Sequence, residues 1–148
     1  MQIYIASDHA GFELKSALIS FLKELGHEVE DCGASIYKED DDYPDFIMPC
    51  AQKVAQNKGS FGIVIGGSGQ GEAIAANRIK GVRAAVYYGG DISVVPTART
   101  HNDANILSFG ARFINGESAK MVVELFLTTP FSGEERHVRR NAKLDSND

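Results

Sequence analysis

Two kinds of apolar pattern alternate along the chain: short continuous runs, and longer segments in which apolar residues recur at helical spacing. Residues 2–7 form the first run and predict a strand. Apolar residues then recur at three- and four-residue intervals from Leu14 to Leu25, which predicts a helix, and Gly26 supplies a C-terminal stop signal. The same criteria predict further strands at 27–32, 61–65, 83–88 and 105–109.

Helical patterns separate these predicted strands. A second helix runs through Val54, with Pro49 near its first turn or at a kink. The remaining helices are predicted to begin near Glu72 and to cover 91–100 with an interruption at Pro96, 118–127, and a charged tail at 134–144. The acidic segment 38–42 predicts a solvated loop.

The alternation of strands and helices determines the expected fold class. Parallel strands need crossover connections, and helices in those connections cover both faces of the sheet. We therefore expect an α/β fold: a single Rossmann-like three-layer domain over 1–148, with a five-stranded parallel sheet and a C-terminal helical tail. Ligands of such sheets bind at the carboxyl ends of the strands, so the ends of the first and third strands are the candidate site.

Composition narrows the class of protein. The chain has 148 residues, 43% of them hydrophobic and 24% charged, which is typical of a globular domain. A net charge of −5 gives no general attraction to nucleic acid or to anionic membranes, so any anion must bind at a local basic patch. No apolar run approaches the roughly 20 residues of a membrane span. The first residues predict a strand rather than a signal peptide. We expect a cytoplasmic protein whose two cysteines, Cys32 and Cys50, are reduced and structural.

A glycine-rich loop follows the third predicted strand. Residues 66–71 contain four glycines and lead into a helix, an arrangement that lets backbone N–H groups approach an anion, although it is also compatible with a tight turn alone. A P-loop would need Lys and Ser or Thr where this chain has Glu72 and Ala73. The dinucleotide pattern fails too, because its last glycine would fall on Glu72. Nucleotide binding is therefore disfavoured.

Carboxylate and imidazole side chains lie at these strand ends. Glu72 lies beside a loop of N–H donors and could act as a base next to an oxyanion hole. Alternatively, its negative charge could simply be stabilised by the positive N-terminal end of its helix. Asp8 could be a helix N-cap, and His9 follows it at the end of the first strand. Their common sheet edge favours a functional role for both.

Other candidate residues lie elsewhere in the predicted topology. His101 and Asn102 precede the fifth strand and therefore belong at the amino edge of the sheet, away from Glu72. They are either structural or serve the active site of a neighbouring subunit. Arg136 and Arg140 share one face of the tail helix at a four-residue spacing and could bind phosphate, or could form a solvated basic surface.

These residues together resemble the ribose-5-phosphate isomerase type B family, which also includes galactose-6-phosphate isomerase subunits. The resemblance covers nearly the whole chain. Its motifs occur in order at 7–11, 42–44, 66–72 with 75–77, 101–103, 109–112 and 136–140.

The resemblance implies roles for individual residues. It implies sugar contacts for Asp8, His9 and Asn102. It implies that the enediolate oxygen is held by the backbone from Gly67 through Gly69 and Gln70 to Gly71, with Ser68. It implies phosphate binding by Arg112, Arg136 and Arg140. His101 would act on the ring oxygen to open the furanose.

Two departures from the family pattern affect the site. Many members carry a cysteine base where this chain has Gly66, and the chain instead resembles the branch in which a glutamate at the position of Glu72 is the base. The segment 87–96, with Gly89 and Gly90, is slightly longer than the family pattern and could border the sugar.

The activity implied is interconversion of ribose 5-phosphate and ribulose 5-phosphate through a cis-enediolate, a step of the pentose phosphate pathway, without metal or cofactor. The implied partner is a second copy of the chain, in a dimer or tetramer whose active sites are shared between subunits. Alternative substrates are galactose 6-phosphate, allose 6-phosphate and erythrulose 4-phosphate. A non-catalytic sensor of sugar phosphates or nucleotides is a further alternative.

Overall fold

The computed structural model describes residues 1–146 and contains a five-stranded sheet in the order β2-β1-β3-β5-β4. All four strand pairs are parallel. The strands are β1 (Gln2–Ser7), β2 (Glu28–Asp31), β3 (Phe61–Gly66), β4 (Ala84–Tyr87) and β5 (Ile106–Gly110). The α/β class and the five parallel strands are thus confirmed. The predicted domain extends to residue 148, and residues 147–148 lie outside the described part of the chain.

Helices cover both faces of the sheet. They are a 3₁₀ turn (His9–Gly11), α1 (Phe12–Glu24), α2 (Pro44–Gln56), α3 (Gln70–Ala76), α4 (Val94–Asn102), α5 (Gly116–Thr128) and α6 (Glu135–Ala142). Alternate residues of β1 point to opposite faces, as the pleat requires: Ile3 and Ile5 join the core beneath α1 and α5, whereas Tyr4 and Ala6 join the core beneath α2.

The prediction for the helix that contains Pro96 is wrong, and one of the two positions predicted for Pro49 is excluded. Pro96 does not interrupt a helix over 91–100, because α4 begins at Val94 and Pro96 lies in its first turn, where a backbone N–H has no partner to lose. Pro44 occupies the first turn of α2, and Pro49 lies inside that helix rather than near its start.

The register of the central strands places the candidate site. Ser7 of β1 pairs with Ile65 of β3, so Asp8 and the glycine loop follow neighbouring positions at the carboxyl edge of the sheet. The contact is close: a Cβ on Gly11 would lie 2.6 Å from the side chain of Ile65. Among residues 1–146, no helix combines the length and apolar character needed to cross a membrane.

Candidate active site

A cavity of about 340 Å³ opens at the carboxyl edge of the sheet, beside the ends of β1 and β3. Of the predicted site residues it brings together Asp8, His9, Gly67, Ser68, Gly71, Glu72 and Arg112. Ala10, Tyr43 and Phe113 complete its lining. Gly69 and Gln70 belong to the same loop but lie outside the lining.

The glycine loop packs too closely against its surroundings for larger residues. Gly69 has φ +78°, and a Cβ there would lie 2.8 Å from the backbone of Phe109. A Cβ on Gly71 would lie 2.9 Å from the ring of Tyr43. A left-handed backbone and these short distances both require glycine, so this loop is more constrained than an ordinary strand-to-helix turn.

Glu72 is the third residue of α3 and is only 4% exposed, although it lines the cavity. Burial raises the pKa of its carboxyl, and the negative charge of Asp8 raises it further. The backbone N–H groups of Glu72 itself and of Gly69 oppose this shift of the pKa. A buried carboxylate with a raised pKa is a better proton acceptor than a solvated one.

The missing side chain at position 66 explains how Glu72 fits. A Cβ on Gly66 would lie 1.9 Å from Oε1 of Glu72 and 2.5 Å from Oε2. The carboxylate therefore occupies the space that any side chain at position 66 would need. A cysteine at position 66 and Glu72 in its observed place exclude each other, which accounts physically for the departure noted in the sequence.

Asp8 and His9 have distinct surroundings at the end of β1. Asp8 Oδ1 accepts hydrogen bonds from the backbone N–H groups of Ala10 (2.9 Å) and Gly11 (3.3 Å), so Asp8 does cap the 3₁₀ turn while also lining the cavity. His9 Nδ1 lies 2.7 Å from Oδ1 of Asp41.

Asp8, His9 and Asp41 have potential metal ligands within 4.8 Å of one another. The short hydrogen bond occupies His9 Nδ1, so we assign the cluster to hydrogen bonding.

Sequence reasoning missed Asp41, Tyr43 and Phe113. Asp41 was expected in a solvated loop, but its side chain is only 6% exposed. Tyr43 lies in a recognised motif without an assigned role, and its contact with Gly71 is the reason for that glycine. Phe113 is exposed and packs edge-on against Tyr88 at 6.0 Å between ring centroids. No sequence pattern distinguishes Asp41 or Phe113 from ordinary surface residues.

Arg112 brings a positive charge into the cavity. It follows β5, and its backbone N–H donates to the carbonyl oxygen of Gly67 at 3.2 Å. Its guanidinium lies over Gly67, 3.2 Å from the position of a Cβ there. The glycine therefore lets the cation lie against the loop, where guanidinium and backbone N–H groups can act on the same anion.

His101 and Asn102 form the last turn of α4, immediately before β5, and so lie at the amino edge of the sheet as predicted. The ring of His101 stacks on His137 of α6, with centroids 4.3 Å apart. Arg136 and Arg140 belong to the same α6 and are exposed. One chain therefore divides the predicted residues between two opposite edges of its sheet.

Ion pairs fix the end of α4. Asp103, at φ +47°, caps the helix, and its carboxylate binds Arg83 at 3.0 Å and Arg99 at 2.9 Å. A larger cavity, of about 600 Å³, adjoins this region and includes Asn102 but none of the other predicted site residues. The arrangement orients the His101–Asn102 turn without connecting it to the cavity of Glu72.

Comparison with known proteins identifies the family of this chain. The sequence profile of the Ribose/Galactose Isomerase family matches residues 3–144. The chain is 45% identical over 140 residues to ribose-5-phosphate isomerase B of Mycobacterium tuberculosis (strain CDC 1551 / Oshkosh), covering 95% of this chain and 85% of that protein.

Solved structures agree with the sequence comparison. The ribose 5-phosphate isomerase of Thermotoga maritima is 44% identical, with a TM-score of 0.91 over 99% of this chain and 98% of that one. The Mycoplasma genitalium enzyme, with bound ribulose-5-phosphate, is 39% identical, with a TM-score of 0.91 over 97% and 93%. This chain belongs to the ribose/galactose isomerase family.

Proposed function

We propose that this protein is an aldose–ketose isomerase that interconverts ribose 5-phosphate and ribulose 5-phosphate. The observation that carries the proposal is the buried carboxylate of Glu72, which lines the same cavity as the glycine loop and Arg112. Relatives with 45% and 44% identity are ribose-5-phosphate isomerases, and a further one has ribulose-5-phosphate bound. A base, an anion-binding loop and a cation are the three groups that this reaction requires.

The chemical step is a proton transfer between neighbouring carbons. Glu72 removes the proton on C2 of the open-chain aldose, and a cis-enediolate forms. Glu72 then returns that proton to C1, while the hydroxyl proton on O2 passes to O1, which leaves the ketose. The raised pKa of Glu72 suits both halves of the cycle, because a carboxyl with a very low pKa would remove a carbon-bound proton poorly.

Negative charge develops on oxygen in the enediolate, and the glycine loop faces it. Of the loop, Gly67, Ser68 and Gly71 line the cavity, and their backbone N–H groups and the hydroxyl of Ser68 are the donors we assign to that oxygen. Ser68 Oγ accepts a hydrogen bond from the backbone N–H of Gln70 at 3.3 Å, which leaves its own hydrogen available to the substrate.

Two copies of the chain would complete the site. Ring opening by His101, contact of Asn102 with a sugar hydroxyl, and phosphate binding by Arg136 and Arg140 all involve residues at the amino edge, whereas Glu72 lies at the carboxyl edge. A homodimer that packs one edge of each sheet against the other edge of its partner brings the two sets together. Arg112, in the cavity itself, would share the phosphate.

Substitution of the base tests the chemistry. Glu72→Gln should lower kcat by roughly 10²–10⁴-fold while ribose 5-phosphate still binds, since only proton transfer is lost. The matched control is Glu117→Gln, because Glu117 also lies in the first turn of a helix but is 88% exposed. Turnover of Glu72→Gln near that of the control would exclude Glu72 as the base.

Complementation tests the shared site. Glu72→Gln and His101→Asn should each be inactive in pure form. Dissociated, mixed and reassociated, they should recover roughly a quarter of wild-type activity, because half the dimers are hybrids and each hybrid has one intact site. No recovery, with hybrids demonstrated by mass spectrometry, would contradict the sharing of residues between subunits.

The tail arginines are tested through substrate affinity. Arg136→Ala and Arg140→Ala should raise KM by roughly 10-fold or more with a smaller change in kcat, because a charge-assisted hydrogen bond to phosphate is lost. Arg139→Ala, on the same helix, is the matched control. Unchanged KM in both variants would show that the phosphate binds elsewhere.

Substrate preference and location follow from the same proposal. Turnover of ribose 5-phosphate should exceed that of galactose 6-phosphate, allose 6-phosphate and erythrulose 4-phosphate. We place the enzyme in the cytoplasm, in the pentose phosphate pathway, a location consistent with its free cysteines Cys32 and Cys50. Cell fractionation with antibody detection tests that location.

A further inference from the structure

Asp41 is more buried than its acidic neighbour Asp40 in the segment 38–42. Its side chain is 6% exposed, whereas that of the neighbouring Asp40 is 81% exposed and lies 3.5 Å from Lys38. Oδ1 of Asp41 accepts from the backbone N–H of His9 at 3.1 Å and lies 2.7 Å from His9 Nδ1. One carboxylate oxygen therefore binds both the backbone and the side chain of a residue that lines the active-site cavity.

This double contact fixes the chemistry of the imidazole. With Nδ1 donating to Asp41, only Nε2 of His9 is left to meet a ligand in the cavity. A neutral ring would then present an acceptor at Nε2, whereas a protonated ring presents a donor. Only the protonated ring can donate to a phosphate or hydroxyl oxygen of a sugar phosphate.

The charges around His9 favour the protonated ring. The hydrogen bond to Asp41 raises the pKa of His9 most strongly, and the charges of Asp8 and Asp41 raise it further, while burial and Arg112 oppose them. Tyr37 contacts the imidazole edge-on and carries no charge. Oδ2 of Asp41 is buried and has no hydrogen-bond partner among residues 1–146, so the imidazolium is the cation that compensates this carboxylate.

We infer that Asp41 is a positioning residue: its carboxylate holds His9 as an imidazolium in one orientation, so that Nε2–H donates to an anionic oxygen of the substrate. Asp41 itself does not line the cavity and acts through His9. The inference rests on the proposed function for the identity of the substrate, but the contact and the charge state belong to the substrate-free protein.

The charge state is tested directly by NMR. The carbon-bound protons of His9 should titrate in the substrate-free wild type with a midpoint above the ordinary histidine value, and Asp41→Asn should lower that midpoint. Asn at this position still offers an acceptor oxygen, so the variant removes charge and keeps the shape. Asp40→Asn is the matched control and should leave the midpoint unchanged. A wild-type midpoint at or below the ordinary value overturns the inference even if Asp41→Asn does not fold.

Kinetics test the positioning role. At neutral pH, Asp41→Asn should raise KM for ribose 5-phosphate by roughly 10-fold with kcat within a few-fold of wild type. Substrate affinity depends on the imidazolium and is lost as pH rises through the pKa of His9, so the loss should begin at lower pH in Asp41→Asn than in wild type. Equal KM and equal pH profiles for the Asp41 and Asp40 variants would overturn the inference.

The two proposals fail in different ways. If the protein is not a ribose-5-phosphate isomerase, wild type shows no turnover, while the His9 titration still reports on Asp41. If wild type turns over ribose 5-phosphate and the His9 titration midpoint is the same in wild type and Asp41→Asn, the isomerase proposal is supported and the positioning role of Asp41 is refuted.

Discussion

Gly66→Ala is the smallest substitution that should displace Glu72, the proposed base, while leaving the residue at position 72 unchanged. The added Cβ would lie 1.9 Å from Oε1 of Glu72, and ordinary van der Waals contact begins near 3.4 Å. The carboxylate must therefore retreat by about 1.5 Å, and a misplacement of about 1 Å can cost roughly 10²-fold in rate. We expect kcat to fall by about 10²-fold, within the roughly 10²–10⁴-fold that a positioned base contributes.

The fold should tolerate this substitution. The atoms that a Cβ would meet belong to the end of a flexible side chain, and Gly66 does not have a positive φ. The free energy of unfolding should therefore change by no more than about 1 kcal/mol. Gly116→Ala is the matched control, because nothing lies within 4 Å of a Cβ at that position.

The pH profile gives a second signature of the displacement. As the proposed base, Glu72 acts only when deprotonated, so kcat/KM should fall as pH drops through its pKa, which burial raises from the ordinary carboxyl value. A carboxylate pushed towards solvent loses that desolvation, and the acid limb of the profile should move to lower pH in Gly66→Ala.

Steady-state kinetics and a double variant complete the assay. Gly66→Ala combined with Glu72→Gln should be hardly worse than Glu72→Gln alone, since both changes remove the same function. Wild-type kcat in Gly66→Ala, or losses that multiply in the double variant, would refute the steric argument.

Two further predictions concern the cores on either side of the sheet. Lys15 is 1% exposed and donates to both carboxylate oxygens of the exposed Asp31, at 2.7 and 2.9 Å. Lys15→Ala should lower the free energy of unfolding by about 2 kcal/mol in urea titrations, against little change for the exposed Lys23→Ala. An equal effect of both variants would contradict a stabilising role for the buried Lys15 ammonium. Cys32 should be alkylated by iodoacetamide before Cys50. Cys50 is fully buried, and its hydrogen bond with Cys32 raises the pKa of the Cys50 thiol. The same hydrogen bond lowers the pKa of the Cys32 thiol. Peptide mapping after short exposure checks the order, and modification of Cys50 first would contradict the buried position of its thiol.

The sheet could be predicted because its signal is local. Each central strand is a short apolar run, as in Phe61–Gly66, and buried parallel strands produce such runs. The position of His101 could also be predicted, since a helix that leads into a parallel strand must end at the amino edge. Pro96 misled the helix prediction, because the same residue breaks a helix interior and fits a first turn.

The candidate site was predicted less completely, for a physical reason. Glu72 and the glycine loop are adjacent in sequence, so their chemistry could be inferred together. Asp41 reaches His9 across 32 residues, and nothing within a run of acidic residues marks which one turns inward. Contacts of this kind depend on how segments pack, and one sequence does not carry that information locally.

The separation of Glu72 and His101 at opposite edges of the sheet follows from the topology rather than from any single residue. In a parallel sheet, loops that follow strands gather at one edge and loops that precede strands gather at the other. The glycine loop and Glu72 follow β3, whereas His101 precedes β5. A chain of this fold can place a base and an anion-binding loop together, but it cannot bring His101 to them by itself. The dimer that we propose would resolve this conflict, and activity would then depend on assembly.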